Sequence, residues 1–279
     1  MFATDPEGIR RMKLKKFHGL GNEFLLTSIR SLPKDSSRIA KFLCDYTKGP
    51  GADGLIFSLP AQEKDIHTRM ALFNSDGSPA EISGNGLRCL AHYVYMGQEN
   101  NKIIRISTDA GNRKAVIKHV EGNQTIIQTG MGIPVLGQDL TTKELEVKVN
   151  PAALRSGYAN VGNPHIVILF ESLASIDIAT LGASVEKECS ETGINVHVLE
   201  VINRSSIAIR TWERGVGVTK ACGSGAVASA CKAHSWGLVD NKIKVRMPGG
   251  EALIEIENEE VYLTGESEFL GNYEVDLCA

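Results

Sequence analysis

The chain has 279 residues, of which 42% are hydrophobic and 23% charged, and this composition is typical of a globular protein and excludes a disordered one. The formal net charge is −3, with no block of like charges, so electrostatics gives no reason to expect a nucleic acid or a membrane as partner. No apolar run approaches the roughly 20 residues of a membrane helix, and residues 1–11 lack the apolar stretch of a secretion signal. We therefore expect a cytoplasmic protein of about two domains that begins with a frayed extension over residues 1–11.

The 6 cysteines are expected to be thiols rather than disulfides, because no secretion signal is evident. Two C-x-x-H pairs, Cys89 with His92 and Cys231 with His234, would each lie on one face of a helix. Neither pair has further cysteines or histidines nearby to complete a zinc site. Buried helix thiols are therefore favoured, and no metal is expected.

Strands are predicted first, from alternation of apolar and polar residues and from β-branched residues. In chain order they cover residues 23–29, 55–59, 66–73, 103–107, 114–120, 124–129, 145–149, 164–170, 195–202, 206–212, 242–247 and 252–257. Gly49 to Gly54 satisfies G-x-G-x-x-G, but a helical pattern precedes it and a strand follows. A dinucleotide site needs the reverse order, so a nicotinamide or flavin cofactor is not expected.

Four helices are predicted from apolar residues at helical spacing. The first has the apolar face Ile39 to Tyr46 and can be capped by Asp35 and Ser36, and a later one contains Ile178 to Val185. The other two, Leu87 to Gly97 and Val227 to Gly237, each follow a Gly-rich turn. These two helices resemble copies of each other.

Several unrelated features recur at a nearly constant spacing, as an internal duplication requires. The turns Ser83 to Gly86 and Cys222 to Gly225 stand 139 residues apart, and so do Asn74 and Glu213. Gly21-Asn22 and Gly162-Asn163 stand 141 residues apart. We therefore predict two similar halves, residues 12–132 joined by a C-terminal strand over 266–279, and residues 133–265, with a ligand between them.

Each Gly-rich turn places a small nucleophilic side chain, Ser83 or Cys222, at the beginning of a helix. The first amides of a helix lack internal partners, so they can hold a carboxylate, and they are expected to lower the pKa of Cys222 from about 8.5. The alternative is that both residues are ordinary helix caps.

Seven motifs in one order give the chain a family resemblance. They are His18 to Phe24, Gly51 to Leu55, Phe73 to Ser78, Gly84 to Cys89, Gly162 to His165, Glu213 to Gly217 and Ala221 to Gly225. Together, from about Leu14 to Leu263, the sequence resembles the diaminopimelate epimerases.

The resemblance implies an α+β (mixed α/β) fold of two pseudo-symmetric halves, each a curved mixed sheet wrapped around a central helix. It also implies a cofactor-independent isomerase that interconverts LL- and meso-diaminopimelate, in lysine and peptidoglycan biosynthesis. Two cysteines act in that family, one removing the α-proton as a thiolate and the other delivering a proton to the opposite face. Inversion at carbon needs an acid and a base on opposite sides, so this use of two helix ends is chemically sound.

Residue by residue, the resemblance places Ser83 and Cys222 at the two catalytic positions and His165 where a histidine assists one of the cysteines. It counts Glu213 with the catalytic residues and also with those that bind substrate. The other expected substrate-binding residues are Asn22, Asn74, Gly84, Asn85, Asn163, Asn195, Arg214, Gly223 and Ser224. Arginine can bind a distal carboxylate bidentately, and asparagine and glutamate suit ammonium groups.

Position 83 departs from the family, which has a cysteine where this chain has Ser83. A serine hydroxyl is much less acidic than a thiol, so Ser83 cannot take over proton abstraction from carbon, and Cys89 points elsewhere. Ser83 is then either an engineered replacement in an epimerase or native. A native serine would fit a β-eliminating lyase that uses Cys222 alone, and a third reading is a non-catalytic amino-acid binding protein. The sequence leaves a homodimer open.

Overall fold

The computed structural model describes residues 3–4, 10–98, 101–141, 144, 152–189, 191, 193–258 and 260–277. The chain divides into two compact units, Met1–Thr129 with Gly265–Ala279, and Gly130–Thr264, which we call the first and second halves. Across the part of the chain that is described, no helix has the length and apolar character needed to cross a bilayer.

The first half is a mixed sheet with two helices. Its elements are β1 (Ala3–Thr4), β2 (Arg10–Gly19), β3 (Asn22–Ser28), α1 (Ser36–Cys44), β4 (Gly54–Leu59), β5 (Thr68–Asn74), β6 (Pro79–Ala80), α2 (Gly84–Gly97), β7 (Ile103–Thr108), β8 (Gly111–Glu121) and β9 (Gln124–Gly130). The C-terminal strand β18 (Val261–Leu277) pairs antiparallel with β2 and completes it. Two strand pairs are parallel, β3 with β4 and β5 with β7, and the chain between them forms α1 and α2 respectively.

The second half repeats this arrangement. It contains β10 (Val135–Asp139), β11 (Arg155–Asn160), β12 (Pro164–Leu169), α3 (Ile178–Cys189), β13 (Asn195–Asn203), β14 (Ser206–Glu213), β15 (Gly217–Thr219), α4 (Gly223–Ser235), β16 (Lys242–Met247) and β17 (Gly250–Ile256). Its parallel pairs are β12 with β13, across α3, and β14 with β16, across α4. The same order of crossovers in both halves confirms the predicted pseudo-symmetric mixed fold.

The helices α2 and α4 are the central ones. All of residues 84–92 in α2 and all of residues 223–233 in α4 are buried, whereas α1 and α3 bury only one face. A helix that is buried all round has core on every side, because its half's sheet curves around it. The predicted sheet wrapped around a central helix is thereby confirmed for each half.

The beginning of the chain differs from the prediction. Arg10 and Arg11 belong to β2 rather than to a frayed extension, and they pair with Thr4 and Ala3 of β1. The predicted cap of α1 is also wrong in part, because Asp35 is the N-cap residue but its side chain makes no capping hydrogen bond. Its carboxylate instead pairs with Arg38, at 3.1 Å.

The predicted strands match described strands to within a few residues, except the one over 145–149, which lies outside the described residues. The prediction omitted β1, β2, β6, β10, β11 and β15, and β18 begins at Val261 rather than at 266. Strand β11 shows the reason, because its buried residues are Ser156, Gly157 and Ala159, which carry no strong apolar signal.

Both cysteines of the two C-x-x-H pairs are buried, and the two histidines, His92 in the core and His234 at the surface, make ordinary hydrogen bonds. Cys89 is fully buried, and the ring nitrogens of His92 lie 3.0 Å from Thr125 Oγ1 and 3.3 Å from Ser267 Oγ. His234 Nδ1 lies 3.1 Å from the carbonyl of Val239. Among the described residues no three His, Cys, Asp or Glu side chains are grouped as metal ligands.

Candidate active site

In the second half the candidate site is built around Cys222, the N-cap residue of α4. Its extended backbone, with φ −132° and ψ 113°, lets its sulfur accept a hydrogen bond from the N–H of Gly225 at 3.4 Å. The Ser224 hydroxyl lies 3.6 Å from the same sulfur. The structure therefore places this thiol at a helix N-terminus, as the sequence predicts.

A carboxylate lies directly beside the thiol. Cys222 Sγ donates to Glu213 Oε2 at 3.3 Å, and Thr219 Oγ1 donates to the other oxygen of Glu213 at 2.7 Å. Strands β14 and β15 pair antiparallel, with Glu213 opposite Gly217, and the turn between them holds this carboxylate in place. An acid and a carboxylate base within hydrogen-bond distance form a pair that can exchange a proton.

The pKa of Cys222 moves in the opposite direction from the prediction. Burial raises the pKa of the thiol well above its usual value, and the negative charge of Glu213 raises it further. Hydrogen bonds from Ser224 and Gly225 favour the thiolate but do not outweigh these two effects. Cys222 therefore rests as a neutral thiol at physiological pH, because desolvation of a buried charge is the larger effect.

In the first half Ser83 occupies the position that corresponds to Cys222. It is the N-cap residue of α2, with φ −137° and ψ 124°, and its Oγ accepts from the N–H of Gly86 at 3.1 Å. The two caps thus share one backbone geometry and one capping hydrogen bond. They differ in the group nine residues upstream, which is Glu213 beside Cys222 and Asn74 in the first half.

The charges beneath the two helix ends also differ. The fully buried guanidinium of Arg88 donates to the carbonyl of Gly84 at 3.0 Å and to Asn85 Oδ1 at 2.6 Å. Burial lowers the pKa of Arg88 to about 10, so it remains a cation at neutral pH. The matching residue of α4, 139 positions later, is Val227. The first half therefore has a cation where the second half has none, and the second half has an anion beside its thiol.

Two predicted residues of the first half, Asn22 and Asn74, lie at one edge of its sheet. Asn22 begins β3 and Asn74 ends β5, and Gly54, which begins β4, pairs with Asn74. Asp53 fixes the Asn22 side chain, because its Oδ2 accepts from Asn22 Nδ2 at 2.9 Å and from the N–H of Glu23 at 2.7 Å. Asn74 Nδ2 donates to Ser78 Oγ at 3.0 Å.

The corresponding edge of the second half gathers Asn163, His165, Asn195 and Arg214. His165 Nε2 lies 2.8 Å from Asn163 Oδ1. Asn195 uses both ends of its amide on the backbone, donating to the carbonyl of Pro164 at 3.0 Å and accepting from the N–H of Arg214 at 3.1 Å. Asn195 therefore holds the segments that carry Asn163 and Arg214.

His165 itself is fully buried, and its second ring nitrogen lies 2.8 Å from His197 Nε2. Both nitrogens are thus engaged with Asn163 and His197, and the group beside Cys222 is Glu213. Burial, then the neighbouring His197 and Arg214, lower the pKa of His165 well below its usual value, so the ring is neutral. Its assistance to a cysteine stays a prediction.

Sequence reasoning did not assign roles to four residues that hold the predicted ones in place. Asp53, Thr219, Arg88 and His197 contact Asn22, Glu213, Asn85 and His165 respectively. Asp53 and Arg88 lie inside motifs that the sequence analysis quotes, so their position could have been noticed. His197 and Thr219 give no such signal, because only the pairing of strands brings them to the site.

Comparison with solved structures defines the fold class. A hydroxyproline epimerase from Agrobacterium vitis matches with a TM-score of 0.71 and 16% identity, covering 96% of this chain and 91% of that one. A PhzF-family phenazine biosynthesis protein from Bacillus anthracis matches with a TM-score of 0.72 and 16% identity, covering 95% and 99%. The chain therefore has the fold in which an epimerase and PhzF-family proteins are built.

The sequence comparisons identify the family. A family model described as diaminopimelate epimerase matches residues 14–136 and 157–270. The diaminopimelate epimerase of Halothermothrix orenii is 35% identical over 92% of this chain and 95% of its own length, and that of Nostoc punctiforme is 37% identical over 92% and 97%. The chain belongs to the diaminopimelate epimerase family, which is a family of isomerases acting on a small amino-acid substrate.

Proposed function

We propose that the site is that of an enzyme interconverting LL- and meso-diaminopimelate by exchange of the proton on one α-carbon, in which Cys222 serves one face of that carbon and Ser83 stands at the position of the second acid–base group. Membership of the family supports the reaction and favours it over a lyase or a binding protein. The observation that carries the assignment of Cys222 is its sulfur, capped on α4 and 3.3 Å from the carboxylate of Glu213.

Because Cys222 rests as a thiol, its first available step is to donate a proton. Once a base on the opposite face has taken the α-proton and left a carbanion, the S–H bond of Cys222 breaks, its proton joins that carbanion, and the sulfur is left as a thiolate that accepts from the N–H of Gly225. In the opposite direction Glu213 takes the thiol proton, and the thiolate then removes the α-proton of the substrate. A carboxylate at hydrogen-bond distance thus offsets the raised pKa of the thiol.

The negative charge that develops on the substrate also has candidate partners. The first-turn amides of α4, at Gly223 and Ser224, lie at the positive end of that helix. We assign them to the carboxylate attached to the reacting carbon, because helix N-termini stabilise anions. Fixed donors in a buried site stabilise charge more strongly than water does.

Position 83 supplies the test. A hydroxyl cannot act as the second acid or base, so the protein with Ser83 should bind diaminopimelate without inverting it at a measurable rate. Ser83→Cys restores a thiol at an N-cap with the same backbone geometry. We expect this variant to raise the rate of inversion at least about 100-fold, within the range that one acid–base group contributes. Inversion is measured by polarimetry, and exchange by uptake of deuterium at the α-carbon in deuterated water.

Ser83→Ala is the matched control, because it removes the hydroxyl without adding a thiol, and it should remain as slow as the original protein. Folding of each variant is checked by circular dichroism. A folded Ser83→Cys protein that neither exchanges the α-proton nor inverts diaminopimelate contradicts the proposal. Release of a β-substituent from an amino acid by the Ser83 protein would instead support the lyase.

A further inference from the structure

A chain of buried polar side chains leads from the substrate-binding edge of the second half into its interior. His165 on β12, His197 on β13 and Thr211 on β14 lie on neighbouring strands, and His197 pairs directly with Thr211 in the strand register. All three are buried, at 0%, 0% and 2% exposure. The hydrogen bonds run from Asn163 Oδ1 to His165 (2.8 Å), to His197 (2.8 Å) and to Thr211 Oγ1 (3.1 Å).

In this chain of hydrogen bonds, the atom that carries each hydrogen follows from Asn163, the residue at the outer end. Asn163 Oδ1 can only accept, so Nε2 of His165 carries the hydrogen. In a neutral ring Nδ1 is then the acceptor, and it takes the hydrogen of His197 Nε2. Nδ1 of His197 is an acceptor in turn, for the hydroxyl of Thr211. Both rings are neutral, because burial lowers the pKa of His197 to about 3 and that of His165 well below its usual value.

The fold does not require these polar residues, as the first half shows. Phe24, Ile56 and Leu72 stand 141, 141 and 139 residues before His165, His197 and Thr211. Ile56 pairs with Leu72 as His197 pairs with Thr211, and all three apolar side chains belong to one core cluster. Ile56 packs against Gly86 of α2, and His197 packs so closely against Gly225 of α4 that a Cβ there would clash with its ring. The same sheet positions thus hold apolar core in one half and a hydrogen-bonded chain in the other.

The two halves also fix their matching asparagines in opposite ways. Asp53 accepts from Nδ2 of Asn22, which leaves its Oδ1 with no partner among the described residues. His165 donates to Oδ1 of Asn163, which leaves its Nδ2 with no partner across the same described ranges. The residue of the second half that corresponds to Asp53 is the buried, apolar Ile194. A different side chain therefore fixes the asparagine amide in each half, Asp53 for Asn22 and His165 for Asn163.

We propose that Thr211 and His197 are positioning residues, which act through His165 to hold the Asn163 amide with Nδ2 available to a carboxylate oxygen of the substrate. The inference rests on the proposed function, because a substrate with two carboxylates needs hydrogen-bond donors such as Nδ2 of Asn163. A buried chain of neutral hydrogen bonds suits this task, since reversing one amide requires moving every hydrogen behind it.

The first measurement is the ring state of the two histidines in the unaltered protein, from their side-chain ¹⁵N chemical shifts. Both rings are expected in the Nε2–H form at pH 7.5, without any ligand. If His165 and His197 carry their hydrogen on Nδ1, the chain runs the other way, Asn163 presents Oδ1, and the inference is overturned. This result does not depend on whether diaminopimelate binds.

The second measurement uses Thr211→Val. This variant keeps the shape of the side chain and removes the hydroxyl at the inner end of the series of hydrogen bonds. The affinity for diaminopimelate, measured by calorimetry, should fall about tenfold, and the ¹⁵N shifts should show His197 in a mixture of ring forms. Thr211→Ser keeps the hydroxyl and should restore both readouts.

The control is Thr125→Val, which removes a buried threonine–histidine hydrogen bond of 3.0 Å, to His92, in the first half. It should leave the affinity unchanged. Equal affinities for Thr211→Val and Thr125→Val, with unaltered ring signals for His197, overturn the inference. Failure of the unaltered protein to bind diaminopimelate is a different result, and it counts against the proposed function instead.

Discussion

At the scale of single residues, Cys222 and Glu213 show that two parts of one site can act on a pKa in opposite directions. The N-terminus of α4 favours a thiolate, while burial and the carboxylate of Glu213 favour the thiol, and the thiol prevails. A residue poised as an acid is what one face of an epimerisation needs. The other half has a buried cation, Arg88, which contacts Gly84 and Asn85 next to position 83, and it has no carboxylate at the position that matches Glu213.

Glu213→Gln separates these effects. Removing the charge should lower the pKa of Cys222 and so increase its rate of alkylation by iodoacetamide at pH 8. The same change removes the proton acceptor, so inversion by the Ser83→Cys protein should fall about 100-fold or more. The two rates are followed by mass spectrometry and polarimetry.

Cys231 is the internal control for the alkylation, because burial alone raises its pKa to about 12, and its rate should be unaffected. Slower alkylation of Cys222 in Glu213→Gln, or an unchanged rate of inversion, would show that Glu213 does not act on the thiol in this way.

At the scale of elements, the first turn of α4 fits against the His197 ring only because Gly225, which faces that ring, has no side chain. An alanine Cβ at Gly225 would clash with the His197 ring. We expect Gly225→Ala to lower the free energy of unfolding by about 2–3 kcal/mol, as overpacking of a core does. Urea denaturation measures this change.

Gly97→Ala, at the other central helix, is the matched variant. A Cβ at Gly97 meets nothing within 4 Å, so this change should raise stability by up to about 0.5–1 kcal/mol, since alanine is the better helix former. Equal effects at the two glycines would mean that the contact between Gly225 and His197 is not close.

The elements that sequence could predict are those with a local signal. The four described helices follow from apolar spacing and Gly-rich turns, and the duplication follows from repeated motifs. Strand β11 could not be predicted, because its buried residues have small side chains or none. Gly157, for example, leaves room for Lys232. The candidate site residues follow from motif resemblance, but the thiol state of Cys222 depends on burial and on its distance from Glu213. The histidine chain depends on the register of three strands, which no local pattern specifies.

At the scale of the whole molecule, the buried histidines link stability to pH. The pKa of His92 is lowered to about 4 and that of His197 to about 3, chiefly by burial, and His165 is lowered well below its usual value. In the unfolded chain each takes up a proton near pH 6.5. Because only the unfolded state binds these protons, their contribution to stability is complete above about pH 6.5 and is lost as the pH falls towards 4.

We therefore expect the free energy of unfolding to fall between pH 7.5 and pH 5 by up to about 1.4 kcal/mol per pH unit for each histidine below its unfolded pKa. Urea denaturation at the two pH values measures the slope. His92→Asn should reduce this slope by up to one such contribution, while a substitution of the exposed His119 should leave it unchanged. A stability that does not vary over this range would contradict the neutral state of the buried rings.

Strand β18 bears on how the polypeptide matures. Residues 261–264 pair with β17 of the second half, and residues from Glu268 to Leu277 pair with β2, near the start of the chain. During translation the second half is thus complete before the ribosome has released the last partner of β2. The first half is therefore synthesised first but completed last, because β2 pairs with residues 268–277 of β18. A premature stop codon before these residues would remove that partner of β2.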